Sequence, residues 1–303
     1  MNRRCSENGD YMKKSSDQFI LSTVSYVVIT VIALFTLFPF VVLIVNSFAS
    51  EHSIIFYGYS LIPKEFSYNA YELIFQSPDT ILRAYGITIL VTVAGTVISL
   101  FLASMAAYVM YRKDLKYRNG LAFFIYFTTL FNGGLASYYI TLSSTYHLKN
   151  TILVLLLVPM FSAMNILILR NFIRGSIPDS LNESAKIDGA GDFSIFIRII
   201  LPLSKPALAS IGLFTVLGYW NDWWTPMMFV ERQKLFPLQY VLYNIISSVN
   251  VASSVVQNAS TVTLPQESLK LAMTVVSTGP ILLAYPFVQK YFVKGITLGS
   301  VKG

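Results

Sequence analysis

Long apolar segments alternate with short polar ones along the chain, and the length of the apolar runs sets the fold class. A helix needs about 20 apolar residues to cross a bilayer. The first run extends from Phe19 to Val45 through Pro39, which removes a backbone donor and predicts a kink. It is longer than the apolar stretch of a signal peptide, and no small-residue cleavage site ends it. The second, Arg83 to Tyr111, carries Gly86, Ala94, Gly95, Ala103, Ala106 and Ala107, small residues that let helices approach closely. The third, Leu121 to Leu142, is interrupted at Asn132-Gly133-Gly134. The fourth, Ile152 to Phe172, contains Pro159, and the fifth lies between Pro206 and Pro226. The sixth runs from Leu269 to Phe292 through Pro280 and Pro286. The pattern predicts an all-α polytopic membrane protein with six transmembrane helices.

Domain boundaries follow. Residues 1–18 form a polar tail, 19–293 the six-helix domain, and 294–303 a second tail with Lys294 and Lys302. Residues 46–82 read as an outer loop with a short helix over 69–75. The Ser-, Val- and Asn-rich stretch 249–263 reads as an irregular part of another outer loop.

The long polar interruption at 177–202 does not look like a linker. Ser176, Pro178 and Asp179 are helix-start signals: a capping hydroxyl, a ring that fixes φ, and an acid at the positive end of the dipole. They predict a helix from Pro178 towards Asp188. Asp188-Gly189-Ala190-Gly191-Asp192 is a turn signal. Phe193, Phe196, Ile197 and Ile200 recur at helical spacing, predicting a second short helix ended by Pro202. Two helices bent at a glycine make a compact knob.

Composition agrees with a membrane protein. Only 12% of residues are charged, against roughly 25% in soluble domains. Lysine and arginine number 22 against 15 acids, and a basic balance alone could point to nucleic acid. Yet 16 of the 22 fall at the inner ends of the segments if the amino terminus is inside. That is the positive-inside distribution, with both termini and the knob in the cytoplasm and no nucleic-acid partner. The one cysteine, Cys5, excludes an intrachain disulfide, and neither His52 nor His147 has a partner at metal-ligand spacing.

Chemistry has little foothold. The chain has no Gly-x-x-x-x-Gly-Lys-Ser/Thr loop, no nucleophile elbow and no His-Glu-x-x-His, so neither ATP hydrolysis nor catalysis is expected of it. Trp220, Asn221, Asp222 and Trp224, beside Tyr219 and Trp223, are candidates for a solute pathway: rings stack on sugar C–H faces while amide and carboxylate groups bond hydroxyls. An interfacial aromatic belt is the competing reading for the tryptophans. Asn132, with the Gly-Gly pair and Tyr138, is a further candidate, since a loosened helix exposes backbone groups; a packing kink is the alternative.

The 177–202 segment resembles the EAA loop of ABC importer permeases. The matching residues are Glu183, Ser184, Ala185, Asp188, Gly189, Ala190, Phe196, Ile199, Leu201 and Pro202, with Ser184 where the family usually has alanine. Asn46-Ser47-Phe48, Trp220-Asn221-x-Trp223 and the tail Gly295-Ile296-Thr297-Leu298-Gly299 resemble the maltose-type carbohydrate importers, LplC-like group. Ala49 departs from that pattern, standing where many of these permeases have lysine.

The resemblance implies a type I importer. The chain would pair with a second homologous permease, two cytoplasmic ABC ATPase subunits that bind ATP and Mg, and an extracytoplasmic solute-binding protein, for oligosaccharide uptake. The knob would dock on the ATPase. In that reading Glu183 and Asp188 fix the knob's polar contacts or caps, Gly189 permits the bend, and Phe196 packs into the ATPase cleft or against the spans. A non-sugar ABC permease is the alternative. An ion-coupled secondary transporter would want more intramembrane carboxylate than Asp222.

Overall fold

A computed structural model describes residues 16–76, 78–256 and 266–282. Among these residues the regular structure is helical apart from one bridge between Ala49 and Phe66. Helix α1 (Ser16–Asn46) is apolar on every side, runs through Pro39 without ending, and has none of its apolar window buried against the rest of the chain. A helix of this kind is stable only against lipid or another protein.

Asn46 closes α1 and ties the next loop to it. Its Nδ2 donates to the carbonyls of Val42 and Ser60, both at 2.7 Å, and its Oδ1 accepts from the Ser60 N–H at 3.1 Å. Phe48 stacks on Tyr71 with ring centroids 4.8 Å apart, and the Ser47 and Tyr71 hydroxyls hydrogen-bond. The Asn46-Ser47-Phe48 segment is thus a structural joint, and Ala49 is buried in the bridge beside it. Helix α2 (Glu51–Tyr57) is capped by the Ser50 hydroxyl, and α3 (Asn69–Phe75) occupies the expected range.

Helix α4 (Pro78–Tyr111) is the central element. It begins earlier than Arg83, because Pro78 and Asp79 suit a first turn. Of the expected small-residue contacts, Gly95, Ala103 and Ala107 are buried, whereas Gly86 has open space around it. The third apolar run divides at the glycine pair into α5 (Arg118–Leu130) and α6 (Leu135–Ile140), which continues as a π turn to Thr145, with a bend of 115°.

The fourth run is also two helices, α7 (Ile152–Leu157) and α8 (Ala163–Ser176). Pro159 cannot donate to the preceding turn. Side chains of other helices take the freed carbonyls: Ser99 donates to Met160 at 2.7 Å and Tyr219 to Leu156 at 2.7 Å. Such replacement is what a nonpolar surrounding demands of irregular backbone.

The knob comprises α9 (Asp179–Ile187) and α10 (Asp192–Leu203), and α10 meets α11 (Lys205–Trp220) at 78°. Pro202 does not end its helix. The π turn Phe196–Ile200, in which the Leu201 N–H reaches the Phe196 carbonyl, widens the helix just before the proline ring, and the break comes at Ser204. The fifth run stops at Trp220 rather than Pro226, followed by α12 (Trp224–Phe229).

Helix α13 (Leu238–Val256) corrects the irregular reading of 249–256, and residues 266–282 form α14. Among the described residues two helices are long and apolar enough to cross a membrane, Phe19–Asn46 and Pro78–Tyr111, or up to four if each bent pair counts as one. Residues 16–18 of the expected amino-terminal tail begin α1; the rest of that tail, residues 257–265, the end of the sixth run with Pro286, and the carboxy-terminal tail lie outside the described residues.

Candidate functional site

The knob's turn is built as its residues require. Asp188 ends α9, Gly189 sits at φ +80°, the Ala190 N–H reaches the Ala185 carbonyl at 2.9 Å, and the Gly189 N–H reaches Lys186 at 3.0 Å. This pair of bonds is a Schellman closure, and it needs a residue at home in the left-handed region. At the other end of α9, Pro178 holds the N-cap position and Ser176 belongs to α8, so the expected capping hydroxyl is not used.

Inward-facing residues lock the knob to the helices. Phe196 is 2% exposed, lies against Phe101 and Tyr108 with centroids at 5.9 and 5.7 Å, and shares a core with Ala185, Ile177 and Ile200. Phe196 therefore packs against this chain's own helices. Glu183, Ser184, Asp188 and Gly189 are exposed, Ala190 is half-buried and Pro202 is exposed. Asp188 occupies the C-cap of α9, but neither Glu183 nor Asp188 makes a side-chain hydrogen bond or ion pair among the described residues, so neither side chain fixes the knob within this chain.

The turn after α4 does that instead. Lys113 pairs with Asp179 at the start of α9, Asp114 with Lys186 near its end at 2.6 Å, and Arg112 with Asp192 at the start of α10 at 2.6 Å. The Arg112 guanidinium, with Lys186, holds the Asp114 carboxyl well below the usual carboxylate range, and Lys113 with the Tyr111 hydroxyl lowers Asp179.

A depressed carboxylate contributes stability that is fully present above its unfolded value, about 4, and is lost as pH falls through the folded value. Hydrogen exchange of residues 179–203, corrected for intrinsic rates, is therefore expected to match at pH 7 and pH 5. Asp114→Asn, which removes the pairs with Lys186 and Arg112, is expected to raise it at both, by no more than about thirtyfold, since surface pairs are each worth about 0–1 kcal/mol. A marked rise at pH 5 in the unsubstituted chain would contradict this clamp.

The aromatic candidates separate on inspection. Trp220 is 7% exposed, and its indole N–H donates to the Ser277 carbonyl of α14 at 3.1 Å. Asp222 accepts from the Thr225 N–H at 3.0 Å and so caps α12. Asn132 accepts from the Gly134 N–H at 2.9 Å and shapes the 115° bend. Each of these three side chains thus has a hydrogen-bond partner within this chain. Asn221 is exposed and accepts from the Gln239 amide at 3.3 Å, Trp224 is half-buried, and Tyr138 stands edge-on to Phe229.

A cleft of about 200 Å³ lies next to Asn221's partner, lined by Trp223, Gln239, Leu242, Tyr243, Ile246, Met273, Thr274 and Ser277. Trp223 is 41% exposed and stacks on Tyr243 at 4.8 Å, and Tyr240 continues the aromatic row. Gln239 and Tyr243 lie between the expected fifth and sixth spans and so escaped the sequence; the cluster of Gln239, Tyr240, Tyr243 and Asn244 was the signal available. α11 joins the two regions. Its 16 residues span about 24 Å, with the knob at one end and Trp223 just beyond the other.

No protein-family model matches the chain. The chain is 41% identical over 272 residues to the polygalacturonan/rhamnogalacturonan transport system permease protein YtcP of Bacillus subtilis (strain 168), covering 89% of this chain and 94% of the relative. It belongs to the sugar ABC transport permeases. This permease is also 37% identical over 268 residues to Protein LplC of the same organism, covering 88% and 90%. Its fold matches, with a TM-score of 0.74 and 29% identity over 92% of this permease and 98% of the other chain, a bacterial ABC transporter involved in the import of the acidic polysaccharide alginate.

Proposed function

We propose that this permease subunit pairs with a second, homologous permease in the bacterial cytoplasmic membrane and forms the pathway for oligosaccharide uptake. Two separate ATPase subunits bind ATP and Mg and drive it, and an extracytoplasmic binding protein delivers the sugar. Six crossings follow if α1, α4, α5–α6, α7–α8, α11–α12 and the segment starting with α14 each span once, with both termini and the knob cytoplasmic.

The observation that carries this reading is the continuity from knob to cleft. The exposed face of the knob offers Leu181, Ile187 and Phe193 beside Glu183, Ser184 and Asp188, a mixed apolar and acidic surface suited to a protein partner. Its buried face is fixed to α4 through Phe196 and the Arg112–Asp114 turn. A push from the ATPase would therefore reach α11 as rigid-body motion rather than being absorbed in the loop.

At the far end of α11, Trp223 and Tyr243 give stacking faces and Asn221 and Gln239 give hydroxyl-bonding amides. Uronate-bearing oligosaccharides are the first class to test, since both the YtcP relative and the alginate transporter are named for acidic polysaccharides. In proteoliposomes holding the whole importer, Trp223→Ala is expected to raise KM for an oligogalacturonate about three- to tenfold, the worth of one aromatic contact, with assembly and basal ATP hydrolysis unchanged. An unaltered KM would remove the cleft from the pathway.

A further inference from the structure

The inner flank of α4 carries a groove that the transport reading does not use. Val97, Leu100, Phe101, Leu201, Pro202 and Leu208 line a cleft of about 320 Å³, and Lys205 is its one charged lining residue. A second cleft of about 230 Å³ follows along α4, lined by Met105, Tyr108, Val109, Phe193 and Phe196 and bounded by the Arg112–Asp192 pair. The Phe101–Phe196 contact, centroids 5.9 Å apart, lies between the two. The two clefts thus lie in series along α4, the first apolar with Lys205 as its cation and the second closed by the Arg112–Asp192 pair.

Orientation gives this groove its meaning. α10 meets α11 at 78°, so if α11 crosses the bilayer, α10 lies close to the membrane plane and Lys205 stands at the elbow between surface and interior. Lys205 is exposed, has no ion-pair partner among the described residues, and is followed by Pro206, which has no N–H to offer. Arg198, also exposed, lies one turn before Pro202 on α10. An unpaired ammonium at the interface beside an apolar trough matches a ligand with a negative head and a hydrocarbon tail.

We propose that the elbow between α10 and α11 is a binding site for an anionic phospholipid, its phosphate at Lys205 and one acyl chain in the groove against α4. The occupant is a lipid rather than free phosphate because six of the seven lining residues of the larger cleft are apolar and phosphate alone would leave them uncovered. Bound there, the lipid would brace the joint through which the knob turns α11.

The test uses the assembled importer, extracted from bilayers of equal phosphatidylglycerol and phosphatidylethanolamine, with retained lipid quantified by mass spectrometry after graded detergent washing. The unsubstituted complex is expected to retain phosphatidylglycerol in preference. Lys205→Gln is expected to lower that retention about fivefold, the factor for one lysine near anionic lipid, while Lys205→Arg preserves it. Leu208→Trp, which fills the groove, is expected to lower it with the charge intact, and millimolar inorganic phosphate is expected not to displace the lipid.

Equal retention of the two lipids, or retention unchanged by both Lys205→Gln and Leu208→Trp, would overturn the proposal. So would efficient crosslinking to the second permease from Leu208→Cys labelled with a thiol-reactive photocrosslinker, which would show protein in the groove. Uptake and substrate-stimulated ATP hydrolysis measured in parallel report separately on the transport reading.

Discussion

Gly189→Pro should leave the chain inserted and assembled yet cut substrate-stimulated ATP hydrolysis and uptake by more than about tenfold. Gly189 holds φ +80°, and its N–H closes the end of α9 on the Lys186 carbonyl at 3.0 Å. Proline fixes φ near −65° and has no N–H, so both requirements fail together. Forcing an L-residue into the left-handed region costs about 1–2 kcal/mol, and a ring that cannot enter it leaves the turn no choice but to rebuild.

The residues on either side are fixed independently of the turn, α9 through Lys113–Asp179 and Asp114–Lys186 and α10 through Phe196 and Arg112–Asp192. The damage is therefore confined to the angle between the two knob helices, which sets the surface proposed to meet the ATPase. Nothing within 4 Å would meet a side chain at Gly189, so Gly189→Ala tests conformation without bulk and is expected to fall between. Full coupling in Gly189→Pro would show that the turn does not transmit force.

The knob was legible because its signals are local. Pro178, Asp179 and Gly189 are read within a few positions of one another, and each stands at the helix start or the turn it marks. What holds the knob was not legible, since Lys113 and Asp179, or Asp114 and Lys186, lie far apart in sequence and look like ordinary charges on inner loops. Glu183 and Asp188 drew attention instead because they belong to a spaced motif, yet their side chains are exposed.

The aromatic stretch shows the same division. Its composition marked a polar feature at the end of a span, but whether an indole faces a cavity or bonds a neighbouring helix depends on α14, whose Ser277 carbonyl claims Trp220. The Asn132-Gly133-Gly134 break was foreseen, whereas α13 was not, because its Ser, Asn and Val residues are poor helix formers, while the burial of Leu238, Val241 and Leu242 at its start depends on partners far away in sequence.

Gly95→Ala is expected to destabilise the assembled permease by about 1–3 kcal/mol, the usual cost of overpacking, although one methyl group is the whole change. A Cβ at Gly95 would lie 2.4 Å from Tyr219 Cζ and 2.6 Å from Cε1. The ring cannot simply swing aside. Its hydroxyl donates at 2.7 Å to the Leu156 carbonyl, one of those released where Pro159 breaks the fourth segment. Displacing Tyr219 thus orphans a carbonyl in an apolar surrounding, itself worth about 1–3 kcal/mol.

The two costs share one cause, so they should not add. Tyr219→Phe removes the hydroxyl alone, and Gly95→Ala with Tyr219→Phe is expected to cost less than the two single substitutions together. Thermal inactivation of the detergent-solubilised importer measures all three. Wild-type stability in Gly95→Ala would mean that α4 and α11 have slack between them. Strict additivity would mean that the ring contact and the carbonyl bond are separate features, not a single device in which a missing side chain on α4 lets α11 mend the break between α7 and α8.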